Sequence, residues 1–291
     1  MAKTWFITGA GRGLGAEIAK AVLKAGDRAV ATGRSRKAIA DVLGPDDEQL
    51  LSVKLDVANT YQARRAVDAA VARFGAIDVL VNNAGYGHVG FFEELTTQDA
   101  EAQFATNLNG VLNVTWAVLP VMRRARQGRI FNLSSLGGVI GAQLYSLYCA
   151  SKFALEGFSE ALAKEIAPFG LYVTIIEPGP FRTDFLKPES LRFGQTRISD
   201  YDDRRAQLLA GLAARNGRQP GDPSRLADAI VRLANEAAPP MRFLAGSIAV
   251  SAAEQKLSGM RAELDKWRQL SAGTDGEFPA MSSAGLIEQL R

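Results

Sequence analysis

The stretch "TWFITGAGRGLGAEIAK", Thr4–Lys20, decides the fold. A short apolar run ends in the glycine-rich loop Thr8–Gly15, and a helical pattern then runs from Gly13 to Lys24. A strand that turns this sharply into a helix leaves the helix's first amides pointing outward, which suits a bound phosphate. Glycines are needed there because side chains would block a close approach. The spacing is G-x-x-x-G-x-G through Gly9, Gly13 and Gly15. It differs from G-x-G-x-x-G and lacks the Gly-Lys-Ser/Thr of a P-loop. The loop, Leu14 included, is therefore read as the pyrophosphate cradle of a dinucleotide.

Working outward, short apolar runs keep alternating with longer amphipathic stretches. "RAVAT", "LLSVKLDV", "IDVLVNNAG", "GRIFNLSS" and "LYVTIIEPG" are strand-like. The patterns between them predict helices, including one from about Thr97 to Arg124 and one from about Ser146 to Ile166. The apolar runs do not alternate with polar residues, as expected of strands buried on both faces. The expectation is an α/β fold: one doubly wound parallel sheet with helices on both faces, in a single domain. Later elements are a helix in "DYDDRRAQLLAGLAAR", a helix in "DPSRLADAIVRLANE" with Asp222 as N-cap and Pro223 in its first turn, and a last strand at "RFLAG". The catalytic domain is expected to cover 1–250, with a substrate loop at about 182–222. The remainder, 251–291, reads as a helical extension to about Leu270 with a loose end.

Composition narrows the function. Thirty-four basic and 31 acidic side chains give a net charge of +3. That balance, with the basic residues scattered, argues against nucleic-acid and membrane-surface binding. One cysteine, Cys149, and one histidine, His88, argue against a disulfide framework, a metal centre and a Ser-His-Asp triad. The N-terminus lacks the pattern of a signal peptide, and no apolar run reaches the ~18 residues of a membrane helix. A cytoplasmic location is expected.

The second strand bears on which dinucleotide is bound. An Asp or Glu at its end would receive the ribose hydroxyls of NAD. Here Gly33 stands in that place, followed by Arg34, and Arg12 lies within the glycine loop. Two guanidinium groups suit a 2′-phosphate, so NADP(H) is expected.

"YCASK", Tyr148–Lys152, sets a lysine four positions after a tyrosine. Residues four apart share a helix face about 6 Å apart. At ~5 Å and an effective dielectric near 20, an ammonium favours a phenolate by roughly 3 kcal/mol. That is about two pKa units, which would make Tyr148 a usable general acid/base.

The glycine loop, "NNAG" (Asn82–Gly85) and "YCASK", in this order and at these distances, resemble the short-chain dehydrogenase/reductase family. The resemblance spans about Lys3 to Glu236. It implies Asn107 ("TNLNG"), Ser135 ("NLSS"), Tyr148 and Lys152 as catalytic residues, with Tyr148 and Lys152 also touching cofactor. It further implies Asp56 and Val57 ("LDV") at the adenine, and Asn83, Ala84 and Gly85 along the cofactor. Pro178, Gly179 and Thr183 ("EPGPFRT") would lie at the nicotinamide. The implied activity is hydride transfer between NADP(H) and a carbonyl or secondary alcohol; the alternative is a non-catalytic NADP(H) sensor on the same fold. The segments "YGHVGFF", "LGGVIGAQLYS" and Phe181 to about Arg218 contain Phe91, Phe92, Leu144, Phe181, Phe185, Leu186 and Phe193, which point to an apolar small-molecule substrate. Arg182 is open between binding an acidic group and capping a turn. The family resemblance also implies a homodimer or homotetramer built through the long helices.

Overall fold

A computed structural model describes residues 2–186 and 190–276 of the chain. Seven strands form one sheet: β1 (Thr4–Thr8), β2 (Arg28–Gly33), β3 (Leu50–Lys54), β4 (Val79–Asn82), β6 (Gly128–Leu133), β7 (Leu171–Pro178) and β9 (Arg242–Ala245). Their order is β3-β2-β1-β4-β6-β7-β9, and every pairing is parallel. The order reverses between β1 and β4. That switch point opens a crevice beyond the strands' carboxyl ends, the usual ligand position in such sheets.

Strand β1 shows why the apolar runs are continuous. All five of its residues are buried. Trp5 and Ile7 join one core with Ile18 and Val22 of helix α1 (Gly13–Lys24) and with Leu226 and Ile230 of α8 (Pro223–Leu233). Phe6 points to the other face and packs with Val67 of α3 (Thr60–Phe74), Val114 and Val118 of α5 (Gly110–Ala125), and Leu162 of α6 (Ser146–Ile166). Alternating side chains thus feed two cores. Each large apolar residue buried this way contributes about 1.5–3 kcal/mol.

Three expectations are refined. The helix expected over Thr97–Arg124 is α4 (Thr97–Phe104) and α5 joined by a π-helical turn, Ala105–Asn109. The sequence "ATNLN" contains no Pro or Gly, so nothing in its pattern announces the interruption. A second, two-stranded parallel sheet was not anticipated: β5 (Gly87–Val89) pairs with β8 (Leu191–Phe193) across a long sequence gap. Helix α9 begins at Ser247, before the expected Ser251, and runs to Ala272. Helices α2 (Arg36–Leu43) and α7 (Asp202–Arg215) complete the set, and Asp222 caps α8 by accepting from the Ser224 amide.

Two compact units are separated at Ala253/Glu254. The first carries the sheet. The described part of the second is the distal stretch of α9, on which Leu257, Met260, Leu264, Trp267 and Leu270 are exposed. The end expected to be loose falls largely in residues 277–291, outside the described residues, as do 187–189 of the expected substrate loop.

Candidate active site

The glycine loop is built for close approach. Gly9 and Gly13 have positive φ, 70° and 53°, where L side chains are strained. At Gly15 a Cβ would overlap both the Asn83 amide nitrogen and the Gly9 carbonyl oxygen. Arg12 is the N-cap of α1 in extended conformation, makes no side-chain cap bond, and no acidic residue stands in the first turn. The helix N-terminus thus carries its dipole without a local anion, and the cradle fits a pyrophosphate. Leu14 packs against the adjoining core.

Asn83 and Thr8 fasten the loop to β4. Asn83 Nδ2 donates to the Thr8 carbonyl at 2.9 Å, while the amides of Asn83 and Ala84 donate to Thr8 Oγ1 at 2.9 and 3.0 Å. The Thr8 hydroxyl, for which no sequence motif speaks, joins the two strand ends at the switch point. Arg34 is exposed at the end of β2, next to Ser35, which caps α2. Asp56 is exposed and its carboxylate accepts from the Ala58 amide at 3.1 Å. Val57 is buried against Gly110 of α5, and its carbonyl accepts from Asn113 Nδ2. Its side chain therefore serves packing, and its carbonyl is taken up by Asn113.

The four residues expected to be catalytic converge beside this loop. Tyr148 and Lys152 lie on the first turns of α6, both buried, with Lys152 Nζ 5.9 Å from the Tyr148 ring centroid. Lys152 Nζ donates to the Leu133 carbonyl at the end of β6, at 2.6 Å. Ser135 follows that strand end; its Oγ accepts from the Gly137 amide at 3.0 Å, and its hydroxyl hydrogen-bonds the Tyr148 side chain. Asn107, fully buried in the π-turn, donates to the Tyr86 carbonyl at 2.9 Å and accepts from the Tyr86 amide at 3.1 Å. Gly85 lies between, with a Cβ there 3.3 Å from Asn107 Oδ1 and 3.8 Å from Lys152 Nζ. Ser134, the neighbour of Ser135, turns toward Glu156 of α6 instead.

The electrostatics differ from the expectation drawn from the Tyr–Lys spacing. Burial raises the Tyr148 phenol above its ordinary value, and the Ser135 hydrogen bond offsets this only in part. Burial also pushes Lys152 down to about 8, opposed by the carboxylate of Glu156. The physical reason is that removing water from each group penalises its charged form.

At the far end of β7, the Gly179 amide donates to the Ala245 carbonyl at 3.0 Å, just after Pro178. A Cβ on Gly179 would press on Ala249. Thr183 Oγ1 accepts from the Phe185 amide at 3.3 Å. Arg182 donates to the Gln219 carbonyl, the turn-capping alternative. Of the apolar residues expected near substrate, Phe91, Leu144, Phe185 and Leu186 share a cluster with Val89, Leu191 and Leu208, and the Phe185 ring is 5.6 Å from that of Tyr148. Phe181 instead packs against the α1–α8 core, and Phe92 and Phe193 are exposed. The lone histidine, His88, is buried with Nε2 3.3 Å from Asp99.

Known proteins resemble this chain over most of its length. The profile described as short chain dehydrogenase matches residues 3–192. Oxidoreductase BOA17 of Botryotinia fuckeliana is 39% identical over 272 residues, 93% of this chain and 98% of that protein. A 3-ketodihydrosphingosine reductase of Bacteroides thetaiotaomicron is 37% identical, covering 83% and 87%. The crystal structure of a short-chain dehydrogenase from Streptomyces avermitilis superposes with a TM-score of 0.86 at 37% identity, over 95% of this chain and 100% of that one. Two cofactor complexes are more distant. They are a 3-ketoacyl-(acyl-carrier-protein) reductase from Brucella melitensis with NADH, TM-score 0.69 and 26% identity, and ElxO with NADP bound, 0.68 and 27%. Each covers 82% of this chain and is itself covered over 94%.

Proposed function

Because the chain belongs to the short-chain dehydrogenase family and is an oxidoreductase by that membership, we propose that it is an NADP(H)-dependent enzyme interconverting a carbonyl and a secondary alcohol. The observation that carries this reading is the convergence of Tyr148, Ser135, Lys152 and Asn107 beside a glycine cradle at the sheet's switch point.

The nicotinamide nucleotide, when bound, supplies or accepts the hydride. Gly9, Arg12, Gly13, Leu14 and Gly15 would hold its pyrophosphate, and Arg34 with Arg12 its 2′-phosphate. Asp56 and Val57 would meet the adenine, Asn83, Ala84 and Gly85 its length, and Pro178, Gly179 and Thr183 the nicotinamide. Tyr148 gives its proton to the carbonyl oxygen as negative charge builds there, and takes it back in the reverse direction. Ser135 hydrogen-bonds the same oxygen and holds it against Tyr148. Lys152, held by the Leu133 carbonyl, favours the deprotonated phenol while Tyr148 is giving up its proton. Asn107 fixes the Tyr86 backbone, and through it the path of Gly85 beside Lys152.

The substrate is an apolar ketone, aldehyde or alcohol. Support comes from the cluster of Val89, Leu144, Phe185 and Leu191 beside Tyr148, and from a relative named for reducing a keto compound. Exposed Trp116 on α5 and Phe153 on α6 support pairing of these helices in a homodimer or homotetramer.

The test is NADPH oxidation, followed by absorbance, against a panel of aldehydes and ketones. The expected result is turnover with at least one apolar carbonyl. Tyr148→Phe should abolish it by a factor on the order of 10³ or more while NADPH still binds. NADPH binding without turnover on any substrate would favour the sensor, and a Tyr148→Phe variant working at the parent rate would remove Tyr148 from the chemistry.

A further inference from the structure

Helix α6 does not stop delivering polar side chains at Lys152. One turn further, Glu156 is buried, on the face shared by Tyr148 and Lys152. A buried carboxylate with no part in the reaction needs an explanation, because burying a charge is costly even where it is paired.

Its surroundings can be enumerated. From β9, Arg242 donates to Glu156 Oε2, and the same guanidinium also pairs with Glu177 at the end of β7 and with Glu160 of α6. Glu177 is fully buried. From the end of β6, Ser134 Oγ and Glu156 Oε1 both lie against Gly138, where a Cβ would overlap them. Neither atom reaches any other hydrogen-bonding partner among the described residues. On α6 itself the charged neighbours are Lys152 and Glu160. Lys152 in turn faces Tyr148 and Glu156 on α6, the Leu133 carbonyl on β6, and Asn107 across Gly85. Three carboxylates therefore share one arginine, and the surplus negative charge sits one helical turn from the site's ammonium.

We propose that Glu156 is a positioning residue of the active site: it is the counter-charge that keeps Lys152 an ammonium, and Arg242 with Glu177 sets how much negative charge it can offer. The proposal rests on the reading of Lys152 given under Proposed function. It explains why three acidic side chains are gathered behind a lysine that burial alone would drive toward neutrality. The effect of Glu156 on Lys152 has the expected direction. Burial lowers Lys152 to about 8 and Glu156 opposes it, while burial and Glu177 raise Glu156 to about 7 against the pull of Ser134 and Arg242. Removing the Glu156 charge therefore makes it easier for Lys152 to lose its proton.

The test reads Lys152 directly. In cofactor-free protein, the Lys152 side-chain NMR signal, assigned by its disappearance in Lys152→Met, is titrated with pH. In Glu156→Gln its midpoint should fall by about one pH unit. The basic limb of the kcat profile should move in the same direction. By reciprocity the Glu156 carboxyl midpoint should rise by a similar amount in Lys152→Met, and this arm stands even if Glu156→Gln does not fold. A Lys152 midpoint unmoved in Glu156→Gln, or a Glu156 midpoint unmoved in Lys152→Met, overturns the proposal; a purely structural Glu156 would change signal intensity and stability without shifting either midpoint. Neither NMR arm depends on turnover, so failure of this inference and failure of the proposed activity are separable.

Discussion

At the scale of single residues, the site shows how burial and charge compete. Tyr148 and Lys152 are brought together as their spacing requires, yet both are driven toward their neutral forms because neither keeps its water. The "YCASK" spacing could report proximity; the dielectric around the pair could not be read from it. Arg34 is the opposite case. It is exposed at the strand end, and its role depends on charge alone. In the proposed reading, Arg34→Asp replaces a phosphate partner by a group that repels it and can accept from ribose hydroxyls. The expected outcome is a loss of NADPH affinity of about 10- to 100-fold, from hydrogen bonds to a charged group worth about 1.5–3 kcal/mol. NADH affinity should be kept or improved. Paired binding titrations with the two cofactors check this, and equal losses for both would remove Arg34 from phosphate recognition.

At the scale of elements, the strand–loop–helix unit of β1 and α1 was legible because its signal is local: an apolar run, glycines at fixed offsets, then a 3.6-residue period. Gly15 shows what the pattern encodes. A Cβ there would meet the Gly9 backbone and Asn83, so Gly15→Ala should cost about 1–3 kcal/mol in stability and weaken NADPH binding at least tenfold. Gly141, which has nothing within 4 Å of a Cβ position, supplies the control: Gly141→Ala should change neither melting temperature nor cofactor affinity. If the two variants behave alike, the cradle argument fails. The π-turn at Asn107 was not legible, although Asn107 itself was singled out by resemblance. Residues 105–109 hold three poor helix formers, Thr106, Asn107 and Asn109, but no Pro or Gly to mark a break, and the wider turn is held by tertiary bonds from Asn107 to Tyr86 and Ser151.

At the scale of the whole molecule, segments distant in sequence are tied by pairings that no local pattern signals. Buried Glu94, in the turn after β5, pairs with Arg205 of α7, whose guanidinium also donates to the Ile198 carbonyl at 3.0 Å. These bonds fasten α7 and the β5–β8 sheet, whose Gly87 abuts Phe185 and Tyr148. Glu94→Gln removes the charge that Arg205 needs. The expected outcome is amide exchange on the order of tenfold faster across 198–215, with the central sheet unchanged, read by hydrogen-exchange mass spectrometry; unaltered exchange there would mean that apolar packing alone holds α7. The sequence by itself determined the parallel sheet, the glycine-rich turn between β1 and α1 and the closeness of Tyr148 and Lys152, since each depends on periodicity or spacing along a few residues. Only the tertiary structure decided the charge environment of that pair, the buried Glu156–Arg242–Glu177 cluster behind it and the Glu94–Arg205 tie, because desolvation and ion pairing depend on which side chains meet in space after the chain has crossed the sheet several times.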